Sequence, residues 1–100
     1  MTIETVPFDA ATFLGDAQSQ AELIDDAFDS GDARYIAHAL GIVARARGMT
    51  QVARDAGVSR EALYRALSQE GDPRLSTLIG VMKALGLSLH AEAQDGSEAA

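Results

Sequence analysis

The 100-residue sequence contains no cysteine, and only 5% of its residues are aromatic. The absence of cysteine excludes disulfides and thiolate metal sites and is compatible with a reducing compartment. The scarcity of aromatic residues, together with abundant alanine, favours helices over a β-sandwich. No apolar run approaches the roughly 20 residues that are needed to span a membrane.

Basic residues are missing from the first third of the chain, where residues 1–33 contain eight acids and no lysine or arginine. An acid stands where a secretory signal needs a base, so we expect a cytoplasmic protein that does not contact membranes. All eight basic residues lie within residues 34–83, against four acids, and residues 84–100 add three acids. The net charge of −7 therefore conceals a basic middle between acidic ends, a pattern that often marks separate interaction surfaces.

The sequence has few of the residue patterns that are typical of catalytic sites. The two histidines, His38 and His90, lie far apart, and the pair Asp25-Asp26 is more typical of a solvated surface than of a catalytic dyad. The sequence contains no glycine-rich phosphate loop, nucleophile elbow or metal-ligand spacing. We therefore expect no enzymatic activity, no catalytic residue, no metal and no cofactor.

Apolar periodicity and capping residues predict an all-α protein. Asp16 and Asp32 are expected N-caps, and Gly31, Gly48 and Gly86 are expected stops. The predicted helices cover residues 10–14, 17–30, 33–47, 51–56, 60–69 and 75–85. The last helix places five apolar residues on one face, which we assign to the core: Leu75, Leu78, Ile79, Met82 and Leu85.

The segment LSLHAEA, residues 87–93, alternates apolar and polar residues and predicts a strand. A lone strand in a helical protein is an unpaired edge. We expect it to pair with the extended N-terminal piece, with a second copy of itself or with a partner protein.

The stretch TQVARDAGVSREALYRALS, residues 50–68, has the pattern of a helix-turn-helix. Ala53 is small where the two helices cross, Gly57 provides the turn and Ser59 caps the second helix. Leu63 and Leu67 point inward. The pattern predicts a second helix that enters a DNA groove, although a solvated helix hairpin has similar features.

The remaining positions of the second helix share one face, which we interpret as the recognition surface: Arg60, Glu61, Tyr64, Arg65 and Ser68. The two arginines can bond guanine or phosphates, and Glu61 can accept from cytosine or pair with Arg65. Phosphate contacts are predicted for Ser59 and for two residues on the outside of the first helix, Gln51 and Arg54.

Residues 34–90 resemble the helix-turn-helix class named after the Xre and lambda-type repressors. More narrowly, the chain resembles the addiction-module antidote proteins, a HigA-like antitoxin group, in LGIVARARGMTQVARDAGVSREALYRALSQEGDPRLSTLIGVMKALGLSLHAEA. FDAATFL and the acidic helix before GDARYIAHALG extend the resemblance into the N-terminal arm. One departure is TQVA where many repressors have TQEELA, which brings Gln51 closer to the turn. Another is Arg74, at a position where a small capping residue is common.

The resemblance implies an antitoxin of a type II toxin–antitoxin module that binds an operator as a homodimer and represses its own promoter. It also implies a small, basic partner toxin of the RelE/ParE superfamily. The expected fold is a five- to six-helix bundle of the lambda-repressor-like helix-turn-helix type, with a short C-terminal β-strand. The expected divisions are an acidic arm and helix (1–32), the DNA-binding domain (33–93) and a frayed tail (94–100).

Two further surfaces are predicted. For the dimer, the last helix and the strand offer surplus apolar residues: Val81, Leu87 and Leu89. For the toxin, the acidic arm offers an amphipathic helix that can lie on a basic protein: Asp16, Glu22, Ile24, Asp25 and Phe28. We expect residues 1–31 to be dispensable for operator binding. The alternative is that Ile24 and Phe28 pack on the core of the chain itself.

Two other functions remain open at the level of sequence. A stand-alone repressor of phage or plasmid type has the same helix-turn-helix without a toxin partner. A protein-interaction module that has lost DNA binding is disfavoured by the two arginines on the exposed face.

Overall fold

The computed structural model describes residues 16–68 and 70–93, and this part of the chain contains five helices and no strand. The helices are α1 (Ala17–Ser30), α2 (Ala33–Arg47), α3 (Met49–Ala56), α4 (Arg60–Ala66) and α5 (Leu75–Ala84). The all-α class is therefore confirmed for these residues, none of whose helices is long and apolar enough to cross a membrane. The helix predicted over residues 10–14 and the predicted tail (94–100) lie outside the described residues.

The bounds of α1 and α2 agree with the prediction because polar caps and a glycine fix their ends. The carboxylate of Asp16 accepts from the Ser19 amide at 2.7 Å, and that of Asp32 accepts from the Arg34 amide at 2.9 Å. The hydrogen bond from the Ser19 amide lowers the pKa of the Asp16 carboxyl below its usual value. Between the two helices, Gly31 adopts a φ of 71°, which a side chain would strain.

The shorter helices depart from the prediction at their ends. Helix α3 begins at Met49, two residues earlier than predicted, so that Gly48 alone separates it from α2. Helix α4 ends at Ala66, three residues earlier than predicted. Helix α5 begins after Arg74, whose side chain makes no capping hydrogen bond.

The end of α5 has the hydrogen-bond pattern that its sequence predicts. The Leu87 amide donates to the Met82 carbonyl at 2.9 Å, and the Gly86 amide donates to the Lys83 carbonyl at 3.0 Å. These two bonds form a Schellman motif around Gly86, whose φ is 75°.

One hydrophobic core is shared by all five helices. Helix α3 packs against α2, α4 and α5, while α1 packs against α2. The buried cluster comprises Ile24, Leu40, Val43, Ala44, Met49, Val52, Ala53, Leu63, Leu67, Val81, Met82 and Leu85. Truncating one of its fully buried leucines to alanine is expected to cost about 2–5 kcal/mol. The α3–α4 pair is therefore held on a packed scaffold.

Two glycines allow backbones to approach closely on either side of the α3–α4 pair. A Cβ atom at Gly41 of α2 would lie 2.8 Å from the carbonyl oxygen of Leu67. A Cβ atom at Gly80 of α5 would lie 3.0 Å from the carbonyl oxygen of Ala56. The position of the pair relative to α2 and α5 is fixed by these contacts.

Arg47, in the last turn of α2, links three helices. Its Nε donates to Oε1 of Gln20 in α1 at 2.8 Å. Its Nη2 donates to the carbonyl oxygen of Leu85, at the end of α5, at 2.9 Å. Because Gln20 is only 2% exposed, this hydrogen bond joins the core side of α1 to the end of the bundle.

Helix α5 is rotated relative to the prediction. Met82 and Leu85 are buried as predicted, but Leu75 is 68% exposed and Ile79 is 38% exposed. Val81 is fully buried instead. The prediction of Val81 as a dimer contact is therefore wrong, because the side chain that faces α3 and the core has no surface left for a second copy.

The segment after α5 does not form the predicted strand. Residues 87–93 adopt neither helix nor strand, and Leu87 packs against the core while Leu89 remains 43% exposed. The physical reason is that a strand needs a neighbour to satisfy its backbone, and residues 16–68 and 70–93 contain no other strand. The N-terminal piece that was one expected partner lies outside the described residues.

Candidate functional site

The turn between α3 and α4 reverses the chain through a left-handed residue. Gly57 has a φ of 77°, and its amide donates to the Arg54 carbonyl at 3.2 Å. The following amide, of Val58, donates to the Ala53 carbonyl at 3.0 Å. These bonds end α3 with a second Schellman motif, so the segment is two helices and not one continuous rod.

Helix α4 is then started and anchored by local chemistry. The Ser59 hydroxyl oxygen accepts from the Ala62 amide at 3.0 Å, which makes it an N-cap. Leu63 is fully buried in the core, and Val58, in the turn, packs against the same core. One side of α4 is thereby fixed inward, and the opposite side is fixed outward.

The outward side of α4 carries the residues that were predicted from sequence to contact DNA. Arg60, Glu61, Tyr64 and Arg65 are all exposed, and Tyr64 is 37% exposed. Glu61 forms no ion pair with Arg65 in the described part of the chain, so the helix face presents both groups separately. The surface thus combines two guanidinium groups, a phenol and a carboxylate on a helix of seven residues.

Tyr64 is flanked by two arginines from different helices. The guanidinium carbon of Arg60 lies 5.5 Å from the centre of the Tyr64 ring, and that of Arg45 lies 5.7 Å from it. Hydrogen bonding with the Tyr64 side chain raises the pKa of the Arg60 guanidinium above its ordinary value. Arg45 was not among the residues predicted from sequence to bind DNA, because it lies on α2. The basic last turn of that helix is the one signal that pointed to it.

The predicted phosphate contacts on α3 and the turn are also on the surface. Gln51, Arg54 and Ser59 are exposed. The side-chain Nε2 of Gln51 donates to Oδ1 of Asp55 at 2.9 Å. Gln51 is therefore engaged with a neighbour on its own helix, whereas Arg54 lies in the last turn of α3, where a cation also interacts favourably with the helix dipole.

A second surface feature is an open groove of about 850 Å³ between α1 and residues 87–93. Apolar side chains form part of its lining: Ala21, Ile24, Phe28, Met82, Leu87, Leu89 and Ala93. Four carboxylates also line it, from Glu22, Asp25, Asp29 and Glu92. No lysine or arginine lines the groove, so it combines an apolar lining with negative charge.

The five residues assigned to the toxin from sequence are divided by the structure. Glu22 and Asp25 are exposed and line the groove, whereas Asp16 is exposed but caps α1 outside it. Ile24 is 3% exposed and belongs to the core, and Phe28 packs against that core. Ile24 is therefore mainly a core residue that contributes little exposed surface to the groove, and its role as a toxin contact stays a prediction.

The remaining apolar surface lies mostly on α5. Of the predicted dimer residues, Leu87 is partly buried and Leu89 is exposed. Leu75 and Ile79, which the sequence placed in the core, are exposed one turn apart on the same helix. Among residues 16–68 and 70–93, the large aliphatic side chains that remain exposed are thus Leu75, Ile79 and Leu89, and the first two were not predicted from sequence to contact a partner.

Comparison with known proteins relates this chain to a family and to a bacterial relative. A family model described as a probable addiction module antidote protein matches residues 4–93. A protein of Haemophilus influenzae, described only as uncharacterized, is 41% identical over 92 residues, which cover 92% of this chain and 95% of the relative. No solved structure matches the chain significantly.

Proposed function

This chain belongs to the family of probable addiction module antidote proteins, and on that premise we propose that it is the antitoxin of a type II toxin–antitoxin module. In this proposal, the protein binds and neutralises a small basic toxin of the RelE/ParE superfamily. It also represses its own operon by binding operator DNA, in the reducing cytoplasm that a chain without cysteine suits. It acts by binding, without enzymatic activity, metal or cofactor.

The observation that carries the DNA-binding part is the exposed face of α4. In this proposal the α3–α4 pair is a helix-turn-helix of the lambda-repressor type, and α4 is its recognition helix. Arg60 and Arg65 bond guanine edges or phosphates, and Tyr64 contacts a base or a phosphate. Arg54 and Ser59 contact the backbone beside them, with Gln51 doing so once it releases Asp55.

The net charge of −7 does not oppose this role. The three arginines of the α3–α4 pair are exposed and outnumber its two acids, Asp55 and Glu61, whereas the acids of α1 lie on a different helix. In cell salt the screening length is about 8 Å, so phosphates respond to the local arginines more than to distant acids. Release of counterions from the DNA then favours binding.

A single helix of seven residues is too short to read a long operator alone, and a homodimer supplies a second one. Two copies related by a two-fold axis read half-sites about 34 Å apart. The exposed apolar residues Leu75 and Ile79 of α5 supply the contact surface for the second copy.

The groove between α1 and residues 87–93 is the surface that we propose for the toxin. Its carboxylates at Glu22, Asp25, Asp29 and Glu92 complement a basic protein, and its apolar lining accepts an apolar side of the partner. An amphipathic helix or an extended segment of the toxin fits such a groove.

The operator-binding proposal is tested with Arg65→Ala. Loss of a base-reading arginine is expected to weaken binding to the promoter of the operon by about 1–3 kcal/mol and to relax preference at one base position. The measurement is fluorescence anisotropy on the promoter duplex and on single-base variants of it. Arg34→Ala, which removes the same charge from the start of α2, is the control. Wild-type affinity of the Arg65→Ala protein rejects the assignment of α4 as the reading helix.

The antitoxin proposal is tested by co-purifying the products of the native operon. We expect a small basic protein to accompany the chain, together with promoter DNA, in a stoichiometry set by a homodimer. A chain that recovers its promoter without any companion protein, and whose neighbouring gene causes no growth arrest, is instead a stand-alone repressor.

A further inference from the structure

Arg45, Tyr64 and Arg60 form a surface cluster that includes a residue from outside the α3–α4 pair. Arg45 lies in the last turn of α2, and Arg60 is the first residue of α4. Their guanidinium carbons lie 5.7 Å and 5.5 Å from the centre of one and the same ring, that of Tyr64. The tertiary fold thus brings two cations together around a phenol on the surface.

This cluster is positively charged, although the neighbouring carboxylate of Glu61 acts on Arg60 electrostatically. Both arginines are exposed, and neither forms an ion pair with a carboxylate among residues 16–68 and 70–93. Two like charges held around one ring repel each other, and an anion that binds both relieves this repulsion. The ring also limits the motion of the two guanidinium groups through cation–π contacts, which reduces the entropy lost when an anion binds.

The chemistry of the three side chains matches a phosphodiester. A guanidinium presents a planar set of N–H donors that bonds two phosphate oxygens, and the Tyr64 hydroxyl is a further donor. Tyr64 and Arg60 lie on the exposed face of α4, so an anion held here lies beside the base-reading surface.

We propose that Arg45, Tyr64 and Arg60 form a binding site for one phosphate of the DNA backbone, so that Arg45 of α2 extends the DNA interface beyond the helix-turn-helix. The proposal rests on the proposed operator binding. A phosphate contact positions the protein on the duplex without reading sequence. Arg45 therefore contributes equally to binding of operator and of unrelated DNA, in contrast to Arg65.

The test compares Arg45→Ala with wild type on the promoter duplex and on a scrambled duplex of equal length, over a range of salt concentrations. Loss of one phosphate contact is expected to make the slope of log affinity against log salt less negative by about 0.9. Relative to 1 M salt, where this contribution vanishes, the loss amounts to roughly eightfold weaker binding at 0.1 M salt. We expect this loss on both duplexes. Arg45→Lys keeps the charge and is expected to retain most of the slope.

Two controls separate this result from general effects. Arg34→Ala removes the same charge eleven residues earlier on α2, about 16 Å away along the helix, and is expected to leave the salt slope unchanged. Tyr64→Phe keeps the ring and removes the hydroxyl, and is expected to weaken binding on both duplexes less than Arg45→Ala does. Thermal unfolding of each variant checks that the fold is intact.

The outcomes distinguish this proposal from the proposed function. If Arg65→Ala weakens operator binding but Arg45→Ala binds both duplexes with the wild-type affinity and salt slope, the phosphate site is wrong and the recognition helix stands. If Arg45→Ala weakens binding to the operator alone, Arg45 reads a base and the backbone role is wrong. If the wild-type protein binds neither duplex, both proposals are overturned.

Discussion

At the scale of single residues, Gly41 shows how a position without a side chain sets the packing of the bundle. A Cβ atom there would lie 2.8 Å from the backbone oxygen of Leu67, which cannot move aside as a flexible side chain does. Replacing a helical glycine with alanine ordinarily stabilises a helix by about 1 kcal/mol. At Gly41, overpacking reverses the sign.

We expect Gly41→Ala to destabilise the protein by about 1–3 kcal/mol. The measurement is urea unfolding followed by circular dichroism. Ala46→Gly, at an exposed position of the same helix, measures the helix propensity alone in this chain. A Gly41→Ala protein that is more stable than wild type contradicts the close approach of α2 to the end of α4.

Arg45 and Arg47 are two residues apart on α2 and have different expected roles. Arg47 bonds Gln20 and the Leu85 carbonyl, so Arg47→Ala is expected to lower the free energy of unfolding by at least about 1.5–3 kcal/mol, the value of one hydrogen bond to a charged group. Arg45→Ala is expected to leave stability within about 0.5 kcal/mol of wild type, as is usual for exposed positions.

Thermal unfolding of the two variants in parallel tests this difference. The DNA-binding assay on the same proteins is expected to give the opposite order, with Arg45→Ala impaired and Arg47→Ala near wild type below its unfolding temperature. Equal stability of the two variants contradicts the linking role of Arg47.

At the scale of elements, the ends of helices follow local chemistry, whereas their inward faces do not. Asp16, Gly31 and Asp32 fix the bounds of α1 and α2 through bonds within a few residues, and these bounds agree with the prediction. The inward face of α5 differs from the prediction, because apolar spacing marks several neighbouring rows and the packing against α3 selects among them. Val81 lies on the selected row, and Leu75 does not.

Helix α1 is part of the bundle and not a detachable arm. Ile24 and Ala27 are buried, and Gln20 bonds Arg47 of α2. We therefore expect deletion of residues 1–31 to destabilise the whole fold and to impair operator binding, contrary to the expectation from sequence. Ile24→Ala alone is expected to cost about 2–5 kcal/mol. Chemical denaturation of both proteins measures the effect, and a truncated chain with the wild-type unfolding midpoint contradicts it.

At the scale of the whole molecule, the two signs of charge are concentrated on different surfaces, although Asp55 and Glu61 lie among the arginines of α3 and α4. Arginines lie on the outer face of α4, on the last turns of α2 and α3, and beside Tyr64, while carboxylates line the groove between α1 and residues 87–93. One chain thus offers a basic surface to DNA and an acidic one to a basic protein. Because each surface attracts a partner of opposite charge, the two binding functions are expected to be separable by substitution.

We expect Glu22→Lys combined with Asp25→Lys to weaken toxin binding by about tenfold or more, since each reversal replaces an attraction of up to about 1 kcal/mol with a repulsion of similar size. Both residues are exposed, so the fold is expected to tolerate the changes. Growth rescue from the co-expressed toxin and pull-down of the toxin are the measurements.

A matched control for this pair is Glu70→Lys combined with Asp72→Lys, which changes the net charge equally at exposed positions outside the groove. The control is expected to protect from the toxin as wild type does. Equal loss of protection in both double variants indicates an effect of net charge, and full protection by the Glu22 and Asp25 variant rejects the groove as the toxin site.

The sequence by itself determined the helical class, the bounds of α1 and α2, the turn at Gly57 and the outward face of α4, because caps, glycine conformations and helical spacing act within a few residues. The tertiary structure alone decided that Ile24 and Val81 lie inside, that Leu75 and Ile79 lie outside, and that Arg45 meets Tyr64. It also brought α1 and residues 87–93 together into an acidic groove. These features depend on how helices far apart in sequence rotate and pack against one another, and a helical period fixes the faces of a helix without fixing which of them turns inward.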